Sequence, residues 1–194
     1  AVVCASSKGL GLGCAEALAA AGCNLVMNGR GSEALELSAQ TIRSEYGVSV
    51  VTVAADVSTI DGQNKLIEAA GDTDILVNNA GVSGPTKPVE EISDEEWDSC
   101  MAVGINAQFY CVRRVVPIFK QQKSGVIINL ISGAGILGFP NRTPYAAAKW
   151  AVTGFTKTLA MELGPDNIRV NGIVPGNVNG DRMERVIGAH ALAD

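Results

Sequence analysis

The stretch AVVCASSKGLGLG, residues 1–13, decides how the rest of the chain is read. Residues 1–5 form a short apolar run that predicts a strand. Ser6, Ser7, Lys8, Gly9, Leu10, Gly11, Leu12 and Gly13 follow as a glycine-rich turn. A helix is expected from there to about Ala21, with Gly22 as its stop. A glycine turn between a first strand and a first helix lets backbone amides approach a pyrophosphate at the helix N-terminus. Small glycine turns are frequent, so this one gains its meaning from its place after the first strand.

From that anchor, strands and helices alternate. Further strands are predicted at 24–28, 48–54, 74–77, 126–131 and 168–174. Ser32 reads as the N-cap of a helix to about Tyr46, with Gly47 after it. Another helix covers about 60–70. Ser93 with Glu96 three residues on is a capping box, which opens a helical region to about Gln122 with an interruption near Gly104. Thr143 or Pro144 opens a helix to about Leu163, stopped by Gly164 and Pro165, and a last helix is expected from about Arg182. The 48–54 run is continuous and valine-rich, which predicts a strand buried on both faces. Such alternation means a parallel sheet with helices on both faces. The expected fold class is α/β: a Rossmann-type doubly wound parallel sheet in three layers, α/β/α, as a single dinucleotide-binding domain over residues 1–194.

The chain has 194 residues, 47% hydrophobic and 18% charged, enough for a substantial core and unlike a disordered segment. The net charge of −5 and the lack of a basic run argue against nonspecific binding to nucleic acid or anionic membrane. No apolar run reaches the ~18 residues of a bilayer crossing, and there is no signal-peptide pattern. The chain opens on Ala1 inside a strand, so a fragment, or a chain with flanking residues left out, is expected. Its five cysteines, Cys4, Cys14, Cys23, Cys100 and Cys111, form no C-x-x-C pair, and His190 is the single histidine, which argues against a zinc site. An odd number in apolar surroundings reads as reduced core cysteines of a cytoplasmic protein. Cys100 and Cys111 stay open between core and surface. His190 reads as a surface residue, and Trp97 and Trp150 as packed within helices.

The chemistry concentrates in residues 132–149, SGAGILGFPNRTPYAAAK. Tyr145 and Lys149 are separated by three alanines, the best helix former, and at that spacing both lie on one helical face. A phenol in water holds its proton to about pH 10; an ammonium one turn away favours the phenolate. Ser132 ends the fifth strand, where active groups of such folds sit. Its hydroxyl there is suited to hold a substrate oxygen while the tyrosine gives or takes a proton. Arg142, in the loop between them, reads by default as a solvated charge, with contact to an anionic substrate as the alternative. At the end of the second strand, Asn28, Gly29 and Arg30 offer no carboxylate for a ribose 2′-hydroxyl. Arg30, with Lys8 nearby, suits a 2′-phosphate instead, so NADP(H) is favoured and NAD(H) remains possible.

These motifs resemble the classical short-chain dehydrogenase/reductase family over essentially the whole chain. The family's T-G-x-x-x-G-x-G appears as Cys4-Ala5-Ser6-Ser7-Lys8-Gly9-Leu10-Gly11, departing at its first two positions. N-N-A-G is intact at Asn78, Asn79, Ala80 and Gly81. The family's helix asparagine is matched to Asn106, its serine to Ser132, its Y-x-x-x-K to Tyr145 and Lys149, and its P-G to Pro175 and Gly176. The resemblance implies a general acid/base in Tyr145, a ribose-holding Lys149, an oxygen-positioning Ser132, and an Asn106 that supports a water linking Lys149 to solvent. It implies cofactor contacts from Ser7, Lys8, Gly9, Leu10, Gly11, Arg30, Asp56, Val57, Asn78, Ala80 and Gly81, and from Ile173, Pro175, Gly176 and Val178 beside the nicotinamide. Gly180 stands where the family commonly has a carboxamide-binding threonine. Members usually have ~250 residues, so a seventh strand and part of the C-terminal substrate lid are expected to be missing here.

The expected activity is NADP(H)-dependent interconversion of a carbonyl and a secondary alcohol. A 3-oxoacyl-thioester (acyl-carrier-protein) reductase is a sub-case, with Arg113, Arg114 and Lys120 as a carrier patch. A hydroxysteroid or sugar alcohol also fits. A non-catalytic nucleotide-binding or truncated homologue is the alternative. The resemblance implies a homodimer or homotetramer through the helices around 97–122 and 145–163.

Overall fold

Adjacent residues of a strand point to opposite faces, and here that alternation builds two cores. Val2 packs with Leu66, Ala107, Val115, Phe119 and Leu163, whereas Val3 packs with Ala15, Ala19, Leu35 and Ala39. Both belong to β1 (Val2–Val3), so one two-residue strand nails the two helical layers to a common sheet. The computed structural model describes residues 1–178, 184 and 186–188.

The remaining strands are β2 (Leu25–Gly29), β3 (Val50–Ala54), β4 (Ile75–Asn78), β5 (Gly125–Leu130) and β6 (Ile168–Ile173). They pair in the order β3-β2-β1-β4-β5-β6, and every pairing is parallel. That is the Rossmann order. Helices α1 (Gly9–Ala20) and α2 (Ser32–Tyr46) cover one face. The other face carries α3 (Ile60–Ala70), α5 (Ala107–Gln122) and α6 (Thr143–Leu163). A helix α4 (Asp94–Met101) runs into α5 through a π-helical turn, Ala102–Asn106, at the interruption expected near Gly104. The capping box at the start of α4 is formed in full by Ser93 and Glu96. No described helix is long and apolar enough to cross a membrane.

Several local expectations need correction. β1 is shorter than 1–5, because the chain leaves the sheet at Cys4 to make the glycine turn. Ser32 is the first helical residue rather than the cap; Gly31 holds the cap position with no side-chain bond. β3 is not buried on both faces: it is the sheet's edge, and Val51 is 49% exposed. Valine enrichment reports strand propensity, and an edge strand shares it. Trp97 and Trp150 stand on their helices substantially exposed. Cys4, Cys100 and Cys111 are buried thiols, while Cys14 and Cys23 are half-buried. The helix expected from Arg182 begins outside the described residues, as do Gly180 and His190.

Candidate active site

The strand order reverses direction between β1 and β4, which opens a crevice at their carboxyl ends. The glycine turn lines one side of it. The Cys4 N–H donates to the Val77 carbonyl (3.0 Å) and the Ser6 N–H to that of Asn28 (2.7 Å), so the turn is tied to both neighbouring strands. Asn28 is buried and acts as a bracket: its Oδ1 accepts from the Ala5 N–H (3.3 Å), and its Nδ2 donates to Val53 and Ala55 (3.0 Å each). From the opposite side, Asn79 Nδ2 donates to the carbonyls of Cys4 (3.2 Å) and Ala5 (3.0 Å). Ala5 turns the chain with φ +50°, a left-handed conformation that costs an L-residue about 1–2 kcal/mol.

Gly9 carries φ +57°, and Gly11 lies against the turn itself: a Cβ there would strike the Ala5 carbonyl and Asn79 Nδ2. The start of α1 has no side-chain cap and no acidic residue in its first turn. The first amides of a helix have no partner within it, and with the close backbone approach at Gly11 this start fits a pyrophosphate. Lys8 occupies the cap position in extended backbone. Ser7 lies beside Gly29, where a Cβ would come within 3.4 Å of its Oγ, and Leu10 is partly exposed. Arg30 follows directly, exposed at the end of β2. Asp56 lies close enough to feel its charge. The Asp56 carboxyl is held below the ordinary carboxylate range, first by the Ser58 hydroxyl (2.7 Å) and N–H (2.9 Å) and in smaller part by Arg30. Val57 is buried in the α3-side core, so its side chain is committed to packing.

The other side of the crevice is set by a buried amide ladder. Asn78 Nδ2 donates to Asn129 Oδ1 (2.9 Å), Asn129 Nδ2 to Thr156 Oγ1 (2.9 Å), and Thr156 Oγ1 to the Val152 carbonyl (2.7 Å). The ladder links β4 to β5 and β5 to α6, and so fixes how far along the sheet α6 sits. Buried polar groups joined this way specify one register. Ala80 is buried behind it.

On α6, Lys149 is 4% exposed and its ammonium donates to the Leu130 carbonyl at 2.6 Å. It lies near Gly81, whose Cβ would stand 3.9 Å from Nζ, and 5.9 Å from the centre of the Tyr145 ring. Ser132 follows β5 closely and its Oγ accepts from the Ala134 N–H (3.2 Å). The turn after it is pressed onto α6: Thr153 Oγ1 donates to the Gly135 carbonyl (2.9 Å), and a Cβ on Gly135 would meet the Lys149 backbone. Tyr145, Lys149 and Gly81 are thus gathered near the carboxyl ends of β4 and β5, and Ser132 stands two residues beyond the Leu130 whose carbonyl Lys149 holds.

Asn106 is not gathered there. Gly104, in the same π turn, is buried against α6, where a Cβ would stand 2.8 Å from the Ala148 Cβ. Two residues on, the helix has turned about half a revolution, so Asn106 is exposed on the far side. The Gly104 carbonyl is held instead by buried Gln108, whose Nε2 donates at 3.3 Å. Arg142 is likewise not a solvated loop charge: it is 3% exposed and lies beneath Tyr145. The i, i+3 spacing to Tyr145 was a visible signal, masked by the surrounding Pro140 and Asn141. Pro175, Gly176 and Val178 leave β6 at its carboxyl end, Val178 exposed. Of the residues expected to form a carrier patch, Arg113 and Lys120 are exposed on α5, Arg114 bonds Asn64 and Tyr110, and Lys120 pairs with Asp166. Among the described residues no group of side chains could hold a metal ion.

A sheet wound in this order, with a glycine turn after β1 and a tyrosine–lysine pair on α6, is an architecture of nicotinamide-dependent oxidoreductases. The chain belongs to the short-chain dehydrogenase/reductase family, whose members act on CH–OH and carbonyl groups; the model for short chain dehydrogenase matches residues 1–190. Trans-4-hydroxycyclohexanecarboxylate dehydrogenase of Sinomonas cyclohexanicum is 37% identical over 187 residues, 92% of this chain and 71% of the relative. NAD+-bound xylitol dehydrogenase superposes with a TM-score of 0.93 at 30% identity, over 99% of this chain and 75% of that one. L-sorbose reductase from Gluconobacter frateurii, solved with NADPH and L-sorbose, gives 0.91 at 33% identity, over 98% and 73%.

Proposed function

We propose that this protein interconverts a small-molecule carbonyl and its secondary alcohol with NADP(H), using Tyr145 as the acid/base. The observation that carries the reading is Lys149, buried, anchored on the Leu130 carbonyl, and close to both the Tyr145 ring and Gly81. A bound nicotinamide cofactor supplies hydride to the carbonyl carbon, or takes it from the alcohol carbon. In reduction the Tyr145 hydroxyl gives its proton to the substrate oxygen; in oxidation it takes that proton back. Ser132 Oγ accepts from Ala134, which leaves its own hydrogen to donate to the same oxygen. Lys149 stabilises the negative charge left on Tyr145 and is placed to hold a ribose next to Gly81. The glycine turn and the start of α1 bind the pyrophosphate, and Ser7, Lys8 and Arg30 favour a 2′-phosphate.

Support for NADP(H) is the lack of a carboxylate after β2 and the exposed Arg30 in its place. The exposed apolar residues Trp97, Phe109, Trp150 and Met161 on α4, α5 and α6 support a homodimer or homotetramer through those helices. The reading is tested with a panel of ketones and alcohols assayed with NADPH, NADH and their oxidised forms. NADP(H)-dependent turnover that vanishes in Tyr145→Phe supports it; turnover of no member, or a clear preference for NAD(H), counts against it.

A further inference from the structure

Arg142 is where the sequence reading and the structure part most widely. Its guanidinium carbon stands 4.8 Å from the centre of the Tyr145 ring, nearer than the Lys149 ammonium at 5.9 Å. Its Nη2 donates to the Ser83 carbonyl at 2.6 Å. Beside it the Asn141 carbonyl accepts the Lys87 N–H at 2.9 Å, and the Arg142 carbonyl accepts the Ala146 N–H at 2.9 Å in the first turn of α6. Residues 141–142 are therefore stitched both to α6 and to the loop that leads away from Gly81.

A guanidinium against an aromatic face is attracted to its π electrons, and it stabilises negative charge developing on the ring oxygen. With the group buried, water screens that interaction poorly. A group held this close over the ring also limits its rotation, which restricts the direction of the hydroxyl. A lysine brings the charge without the plane. Among the described residues, several other charged or titratable groups lie near Tyr145. Lys149 shares its helix. Beyond Gly84, which packs between them, lies the Cys100 thiol. Glu95 and Glu96 of α4 line a cavity of about 430 Å³ with Gly84 and Cys100, and Glu96 is paired with Lys87 at 2.7 Å.

We propose that Arg142 is a positioning residue for the reaction: it orients Tyr145, supplies a second positive charge to it, and locks it to the loop at Ser83. The proposal rests on Tyr145 being the acid/base. The test compares the parent, Arg142→Gln and Arg142→Lys. Glutamine keeps a donor for Ser83 but removes the charge. One readout is the near-ultraviolet tyrosinate absorbance during a pH titration, taken as the difference from Tyr145→Phe; it needs no substrate. The others are NADPH binding, and kcat with a substrate found in the panel.

In Arg142→Gln the tyrosinate signal is expected at higher pH than in the parent, kcat is expected to fall about tenfold or more, and NADPH affinity is expected to stay within about twofold. Arg142→Lys should recover part of both losses. An Arg142→Gln protein that titrates and turns over like the parent overturns the proposal, as does a lysine variant no better than the glutamine one. Should Arg142→Gln not fold, Arg142→Lys decides: reduced kcat with a parent-like titration supports the proposal, and parent-like kcat overturns it. Full turnover by Tyr145→Phe would remove the acid/base reading instead, while the titration still reports on Arg142 alone.

Discussion

The glycine turn of residues 5–13 and the Tyr145 face of α6 border one crevice but are made of different material. The turn presents backbone: amides at the start of α1, a left-handed Ala5 and Gly9, and a Gly11 pressed against Ala5 and Asn79. The α6 side presents side chains: a hydroxyl, an ammonium and a guanidinium, each held by a carbonyl, a ring or a neighbouring turn. The difference predicts opposite vulnerabilities. A site made of backbone fails when an atom is added. A site made of side chains fails when one is taken away, and the fold survives.

Removing the Tyr145 hydroxyl is the sharpest test. Tyr145→Phe should lower kcat by about 10²–10⁴-fold, the usual worth of a general acid/base, with NADPH affinity and melting temperature close to the parent's. Turnover near the parent level would break the side-chain half of the comparison. Adding one carbon on the other side comes next. Gly11→Ala has no room beside the Ala5 carbonyl, so NADPH affinity should fall about tenfold or more, since overpacking costs ~1–3 kcal/mol. A titration showing unchanged affinity would mean that the turn yields, and that its close approach is not used.

Arg30→Ala sharpens the comparison, because it tests the one side chain at the backbone end expected to discriminate. Losing a charge-assisted bond worth ~1.5–3 kcal/mol should weaken NADPH by about tenfold or more and leave NADH within about twofold. Equal losses for both cofactors would discard the 2′-phosphate reading. The smallest effect is expected from Ala5→Gly. Relieving φ +50° should stabilise the protein by about 1 kcal/mol and raise the melting temperature by a few degrees. A drop in melting temperature would show that the alanine is not strained there.

Much of the fold was legible because its signals are local. Gly22 and Gly47 end their helices with positive φ, Ser93 and Glu96 close a capping box, and Thr143 and Leu163 bound α6 as the sequence implies. Sequence and structure differ where a residue's setting depends on a distant neighbour. The run 48–54 reads like a central strand, but only the strand order puts it at the edge. Asn106 matched a motif by its letters, yet the π turn points Gly104 at α6 in its place. Arg142 looked exposed between Pro140 and Thr143 until the loop after Gly81 and the ring of Tyr145 closed over it.

By itself the sequence determined the alternation of strand and helix, the glycine turn after the first strand, and the one-turn spacing of Tyr145 and Lys149. These follow from propensities and periodicities that act over a few residues. Only the tertiary structure decided which groups share the crevice: Lys149 on the Leu130 carbonyl, the Asn78–Asn129–Thr156 ladder that sets α6 on the sheet, and the guanidinium beneath the tyrosine. Those contacts join residues tens of positions apart, and burial makes their hydrogen bonds and charges strong enough to fix a single arrangement.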